Sequence, residues 1–204
     1  MDALSDIIIV IPIVLFSLSV HEYFHAWTAL KLGDPTAKRM GRLTINPIAH
    51  IDFMGLIFAI IFRFGWAKPV PVNPFNFRKP LQHNAIVAAA GPLSNLILSA
   101  ISIYTLKGLS IFFQLPTAVI DLLYISAFIN AALFFFNLIP VPPLDGSRIL
   151  FALLPGMTLW KTQKYEIYGS MGLFLIMMLS WAGGINIFKY FVSLPAQAFI
   201  KFLL

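Results

Sequence analysis

Long apolar segments separated by short polar ones run through the whole chain. Four of them approach or exceed the roughly 20 residues that a helix needs to cross a bilayer, and a fifth, at the end of the chain, is a weaker candidate. The pattern predicts an all-α polytopic membrane protein with about five transmembrane helices, within a range of four to six. The predicted spans are residues 7–32, 85–106, 120–139, 165–181 and 185–204.

The segment between the first two spans has a different character. Residues 36–47 are polar and partly alternating, which favours a short strand or hairpin. Residues 53–62 are apolar, but about ten residues are too few to span a bilayer, so a re-entrant or interfacial piece is expected. Residues 66–77 contain three prolines and must be extended. We therefore predict a small membrane-associated β or extended region here.

Composition supports the membrane assignment. Hydrophobic residues make up 59% of the 204 residues and charged residues 11%, whereas a soluble domain is about 25% charged. The composition therefore argues against an ordinary soluble enzyme, a disordered protein and a nucleic-acid-binding module. The absence of cysteine rules out disulfides and thiolate metal ligands.

The positive charges predict an orientation in the membrane. Although the net charge is +6, eight of the 14 basic residues fall between residues 31 and 79, as expected of a cytoplasmic loop beside the spans. This distribution predicts a multi-pass protein of the cell membrane with the N-terminus outside, and it indicates a lipid bilayer rather than a nucleic acid as partner. The eight residues are Lys31, Lys38, Arg39, Arg42, Arg63, Lys68, Arg78 and Lys79.

A candidate metal site lies inside the first span. His21 and His25 are four residues apart, so on a helix they share one face and can bind one metal ion. Glu22 lies beside them, where it can polarise a metal-bound water, as in zinc peptidases. Such polar residues in an apolar run are costly unless paired or ligated. The alternative is a hydrogen-bonded polar cluster between helices.

A catalytic zinc usually has three protein ligands, so a third one is required. Asp145 is the best candidate because it follows a run of prolines that breaks the third span, and such breaks at membrane depth line cavities or are buried in protein. The alternatives for Asp145 are a helix cap near Ser147 or an ion pair with Arg148. The other acidic and histidine candidates are Asp2, Asp6, Asp34, Asp52, Asp121, Glu166, His50 and His83.

Several separated motifs resemble those of the site-2 protease family of intramembrane zinc metalloproteases. The first is His21-Glu22-x-x-His25, and the last runs from Asn137 through Pro140 to Asp145-Gly146. Gly91-Pro92-x-x-Asn95 is similar to the middle motif of the family. The segment from Gly41 to Pro47, with His50-Ile51-Asp52, looks like the short prokaryotic members without a PDZ domain. The resemblance covers roughly residues 15–150.

The resemblance implies a role for each motif residue and a transmembrane or membrane-anchored protein as substrate. Water activated by zinc would hydrolyse a peptide bond in or near a transmembrane segment, on the cytoplasmic side. Apart from the resemblance, residues 36–47 and 66–77 are candidates for an edge strand that captures the unwound substrate, and an ordinary solvated loop is the alternative for both. By resemblance, His21, His25 and Asp145 hold one Zn²⁺ per chain, Glu22 is the general base, Asn137 steadies the oxyanion, and Asn95 binds substrate or packs the site.

One domain over residues 1–204 is expected, with a catalytic core at about 5–155 and C-terminal helices at about 160–204. Two other functions stay open at this point. One is an inactive membrane protein that binds substrate helices without cutting them. The other is a membrane metal transporter, which would need ligands repeated along several spans.

Overall fold

A computed structural model of the chain describes residues 3–55, 58, 67–183 and 188–204. Over these ranges the chain is predominantly helical. The helices are α1 (Ala3–Lys31), α2 (Thr36–Arg39), α3 (Pro80–Phe112), α4 (Thr117–Asn137), α5 (Asp145–Leu153), α6 (Leu159–Gly183) and α7 (Leu194–Leu203). Short 3₁₀ turns lie at Pro47–His50 and Pro74–Asn76, and a π-helical turn, Lys189–Ser193, precedes α7.

Three of the described helices are long and apolar enough to cross a membrane: Ile9–Lys31, Pro80–Phe112 and Thr117–Asn137. They correspond to the first three predicted spans, and the all-α membrane class is confirmed. The predicted fourth span lies within α6. Residues 185–187 of the predicted fifth span lie outside the described residues, and its described part consists mainly of a π-helical turn followed by the ten-residue α7.

Small and polar residues line the contacts between the long helices. Ala29 of α1 and Val87 of α3 are buried in one cluster. Further along α3, the Ser99 hydroxyl donates to the carbonyl of Ala127 in α4 at 2.8 Å. Small side chains let membrane helices approach closely, and hydroxyl groups then bond across them. The result is a bundle of α1, α3 and α4 with a polar seam.

The strand or hairpin predicted at 36–47 is wrong. Thr36–Arg39 forms the single turn α2, and the chain leaves it through Met40 and Gly41, whose φ is +67°. The apparent alternation has another cause, since Ala37 is buried against Ala26 and Val70 as part of a helix. Among the described residues the sole β pairing is an isolated antiparallel bridge between Ile51 and Ala67. The segment predicted as re-entrant, 53–62, lies largely outside the described residues.

The proline-rich loop after Ala67 is anchored to the end of α1 by Asp34. This carboxylate accepts hydrogen bonds from the backbone of Asn73 at 2.7 Å and from the side chain of Asn76 at 2.6 Å. Burial alone would raise the pKa of Asp34, but these bonds and those from Thr36 outweigh it, so the pKa lies below its usual value. The Asp34 carboxylate therefore stays ionised and holds the loop near α1.

Candidate metal centre

Three buried side chains from two helices meet at one point. His21 and His25 of α1 place their Nε2 atoms 2.9 Å apart. Asp145, at the start of α5, brings its Oδ2 atom to 3.2 Å from Nε2 of His21 and to 3.3 Å from Nε2 of His25. The three residues are between 4% and 6% exposed. They are the one group of this kind, among the described residues, that has the geometry to hold a metal ion.

The other nitrogen of each histidine fixes its tautomer. Nδ1 of His25 lies 2.7 Å from the carbonyl oxygen of Val87, and Nδ1 of His21 lies 2.6 Å from Oδ1 of Asn95. Both partners accept hydrogen bonds, so each Nδ1 carries the proton when the ring is neutral. The two Nε2 lone pairs then face each other and the Asp145 carboxylate. Such a cluster of lone pairs is repulsive unless a metal ion or a proton lies among them.

The three atoms fit a zinc ion. Tetrahedral zinc binds histidine nitrogen and carboxylate oxygen at about 2 Å, which puts neighbouring ligand atoms about 3.3 Å apart. The two nitrogen–oxygen separations match this spacing, and the nitrogen–nitrogen separation of 2.9 Å is slightly shorter. Three protein ligands leave a fourth position, as catalytic zinc sites do. Donor type, separation and tautomer therefore agree with a catalytic zinc.

Neither alternative for Asp145 describes its contacts. It occupies the first turn of α5, where no side chain caps the helix. The guanidinium Nε of Arg148 lies 3.3 Å from Glu166 of α6, which is the acidic partner of Arg148. Gly146 makes room for the backbone that follows α4, because a Cβ at this position would lie 2.8 Å from the carbonyl oxygen of Ile139. The break between α4 and α5 therefore directs Asp145 toward α1.

Glu22 is held by the backbone of the proline-rich loop. Its Oε2 atom accepts a hydrogen bond of 2.7 Å from the amide of Val70, and the side chain is 8% exposed. Within the described part of the chain, the one hydrogen bond to the Glu22 carboxylate uses Oε2 and leaves Oε1 available. One oxygen is therefore fixed while the other can exchange a proton.

A close approach between α1 and α3 depends on Gly91. A Cβ built at this position would lie 2.6 Å from Nε2 of His21 and 2.5 Å from Cε1 of His25. Real Cβ atoms do not approach other heavy atoms so closely. The glycine of the middle motif therefore makes room for the two imidazole rings.

Asn95 joins His21 to a buried polar chain. Its side-chain nitrogen donates to the carbonyl of Ser17 at 3.2 Å and to Oδ1 of Asn130 at 3.0 Å, which leaves its oxygen for His21. Asn130 in turn donates to the carbonyl of Ser126 at 2.9 Å. With Asn95 fully buried, these contacts belong to site packing. Substrate binding by Asn95 stays a prediction.

We expect Asn95→Ala to weaken zinc binding by about 10- to 100-fold, the usual cost of losing a group that orients a histidine ligand. The protein is purified in detergent, and zinc retention is measured against a chelator of known affinity. Asn84→Ala is the matched control, because it removes the same carboxamide from α3 at a position outside this chain of contacts. Equal zinc affinity in Asn95→Ala and the control would contradict the expectation.

In the part of the chain that the structure describes, the remaining predicted site residues make their hydrogen bonds and ring contacts with partners other than these three residues. Asn137 donates to the carbonyl of Leu133 in its own helix at 2.9 Å, so its role at the oxyanion stays a prediction. His50 lies 2.8 Å from the carbonyl of Thr44. Asp52 accepts from the amide of Gly55 at 2.8 Å. His83 stacks edge-on against Phe77.

Sequence reasoning missed two residues that contribute to the site. One is Val70, which acts through its amide and not through its side chain. The other is Asn130, whose signal was present, since a carboxamide in the middle of an apolar span needs a partner. Only the packing of α4 against α3 reveals that this partner is Asn95.

Comparison with known proteins gives consistent matches. The model of peptidase family M50 matches residues 113–179. “Putative zinc metalloprotease YwhC” of Bacillus subtilis is 41% identical over 172 residues, covering 82% of this chain and 78% of that protein. Zinc metalloprotease MJ0392 of Methanocaldococcus jannaschii is 29% identical over 91% of this chain, and Stage IV sporulation protein FB of Bacillus subtilis is 28% identical over 67%. The chain spans 46% and 48% of these two proteins. No solved structure gives a significant match.

Proposed function

The chain belongs to peptidase family M50 and is a zinc metalloprotease of the membrane, and from this we propose that it hydrolyses a peptide bond in or near a transmembrane segment of a membrane-anchored protein. The observation that carries the proposal is the meeting of His21, His25 and Asp145 inside the helical bundle. A hydrolytic site at this depth acts on a substrate that enters from the bilayer.

We assign the three residues as ligands of one zinc ion per chain. His21 and His25 supply neutral imidazole nitrogens, and Asp145 supplies one negative charge. When bound, zinc supplies Lewis-acid chemistry, which polarises a carbonyl group and makes water a better nucleophile near neutral pH. Val87 and Asn95 keep both imidazole rings in the orientation that this requires.

We assign the proton transfers to Glu22. Its Oε1 atom takes the proton of the attacking water and later gives it to the leaving amine, while the amide of Val70 holds Oε2. A carboxylate anchored in this way keeps its orientation through both transfers, as general acid–base catalysis requires. The buried surroundings limit competition from bulk water.

The positive charges support a site that opens toward the cytoplasm. The loop between α1 and α3 carries the basic residues that the positive-inside rule places there. Asp34 ties this loop to the end of α1, about two helical turns beyond His25. Water reaching the site from that end has the shorter path. Peptide bonds in a membrane helix are shielded, so the substrate must unwind locally before cleavage.

Zinc content tests the assignment directly. Wild-type protein, purified in detergent without chelators, is expected to contain about one zinc per chain, and Asp145→Ala well below half of that, because a two-histidine site binds zinc weakly. Asp121→Ala is the matched control. It removes a carboxylate near the N-terminal end of α4, whereas Asp145 follows the C-terminal end of that helix. Mass spectrometry of the metal gives the ratio. Full zinc in Asp145→Ala would exclude Asp145 as a ligand, and zinc-free wild type would count against the proposed function.

A further inference from the structure

The amide that holds Glu22 lies in a segment with few hydrogen-bond donors. Val70 is flanked by Pro69 and Pro71, and proline has no N–H group. Over these three residues the backbone therefore offers one donor, and Glu22 uses it at 2.7 Å. The anchoring of Glu22 depends on the orientation of a single peptide group, the one between Pro69 and Val70.

The other side of this peptide group faces a buried arginine. Nη2 of Arg42 donates to the carbonyl of Lys68 at 2.7 Å and to the carbonyl of Pro69 at 3.3 Å. The Pro69 carbonyl and the Val70 amide belong to the same peptide plane. Arg42 therefore binds the oxygen end of the group whose nitrogen end binds Glu22. Hydrogen bonds in such a chain polarise one another.

The surroundings of Arg42 are unusual for a charged residue. It is 9% exposed, and its Nε atom has no hydrogen-bond partner. Within the described ranges, no carboxylate lies at ion-pair distance from its guanidinium group. Its guanidinium group contacts the two carbonyls and, at 3.4 Å, Nδ1 of His50. A buried cation normally has an anionic partner, and here the Glu22 carboxylate lies across one peptide group.

His50 supports the same segment from a second direction. Its carbonyl accepts the amide of Lys68 at 2.8 Å. Its Nε2 lies 2.8 Å from the carbonyl of Thr44 and donates to it, so Nδ1 is an acceptor toward Arg42. Together with Asp34, which binds the amide of Asn73, these contacts fix the loop on both sides of Val70.

We propose that Arg42 is a positioning residue for the general base. It orients the Pro69–Val70 peptide group, and through this group it fixes Glu22 with Oε1 free for proton transfer. The inference deepens the proposed function, because it rests on the role assigned to Glu22. It requires that loss of Arg42 disturb the Val70 amide and the catalytic rate, and leave zinc binding intact.

Hydrogen exchange tests the structural half of this proposal without any substrate. Because Pro69 and Pro71 have no amide hydrogen, the Val70 amide is the one exchanging group that residues 69–71 contribute to a proteolytic fragment. Full-length protein in detergent is compared as wild type, Arg42→Met, Arg42→Lys and the control Arg39→Met, which removes an exposed arginine nearby. Arg42→Met is expected to speed exchange at Val70 by about tenfold or more, with α1 and α3 unchanged. Arg42→Lys, which keeps the charge, is expected to restore part of the protection.

Val70 exchange in Arg42→Met within twofold of wild type would overturn the proposal. So would equal exchange in Arg42→Met and Arg39→Met. If α1 and α3 also exchange faster in Arg42→Met, the test uses Arg42→Lys and wild type instead. The proposal then requires that the Val70 amide exchange faster in Arg42→Lys than in wild type. Slower or equal exchange there would also overturn the proposal.

Kinetics test the functional half. Arg42→Met is expected to lower kcat about 10- to 100-fold with KM and zinc content unchanged, since misorienting a general base affects the transition state. Arg42→Lys is expected to recover part of kcat. A higher KM with normal kcat would instead assign Arg42 to substrate binding. Wild-type protein that binds zinc and cleaves no membrane substrate would refute the proposed function, while the exchange result at Val70 would still decide the role of Arg42.

Discussion

Glu22→Gln is expected to lower the rate of proteolysis by about 10²- to 10⁴-fold, the range that general acid–base catalysis contributes. Glutamine has nearly the same shape, and its side-chain oxygen can still accept the hydrogen bond from Val70. It cannot take a proton from water. Because Glu22 is not among the three proposed zinc ligands, the variant is expected to keep its zinc. Cleavage of tagged single-span membrane proteins and metal content, measured on one preparation, check both statements.

Glu22→Asp is a useful companion variant. It keeps the carboxylate but withdraws it from the Val70 amide, so partial activity is expected.

The pair also tests the other functions open from the sequence. A protein that only binds substrate helices would behave alike in wild type and Glu22→Gln, and a transporter would still move metal. Undiminished cleavage by Glu22→Gln would remove Glu22 from the mechanism.

Gly91→Ala is expected to abolish both zinc binding and proteolysis. The added methyl group would lie 2.6 Å from Nε2 of His21 and 2.5 Å from Cε1 of His25. Both rings are held on their far sides by Asn95 and Val87, so they cannot move away without losing those bonds. The helices would have to separate, and overpacking of this kind typically costs about 1–3 kcal/mol. Zinc content, cleavage of tagged single-span membrane proteins and thermal unfolding in detergent measure the loss of zinc, the loss of proteolysis and the loss of stability.

Gly108→Ala is the matched control for this prediction. It makes the same substitution in the same helix, α3, at a position where a Cβ meets nothing within 4 Å. Alanine favours a helix over glycine by about 1 kcal/mol, so the control is expected to be as stable as wild type or more so. If Gly91→Ala retained zinc as well as Gly108→Ala does, the close contact between α1 and α3 would have no part in forming the site.

The first three spans and the metal candidates were predictable because their signals are local or chemically rare. The length of a span can be counted directly from its run of apolar residues. Two histidines four residues apart share one face of a helix whatever surrounds them. Asp145 is separated from them by more than a hundred residues. It was identified because a proline-broken span at membrane depth is uncommon, and the structure brings its carboxylate to both rings.

The loop between α1 and α3 was predicted less well, for a physical reason. Short polar segments have little periodicity, and their conformation depends on partners elsewhere in the chain. Thr36–Arg39 is helical because Ala37 packs against α1, which its own sequence does not reveal. The roles of the Val70 amide and the Gly91 backbone cannot be inferred from side-chain types, because both arise from which backbone atoms approach the site.

The Pro69–Val70–Pro71 segment has a consequence for any peptide laid beside it. It carries three carbonyl oxygens and one amide hydrogen; the amide hydrogen binds Glu22, and the Pro69 carbonyl accepts a hydrogen bond from Arg42. A neighbouring peptide could therefore act toward this segment only as a hydrogen-bond donor, through its own amide groups. The segment can bind the amide groups of that peptide and has no free donor for its carbonyl groups. A proline or an N-methylated residue in the bound peptide, opposite one of these oxygens, would remove the hydrogen bond at that position.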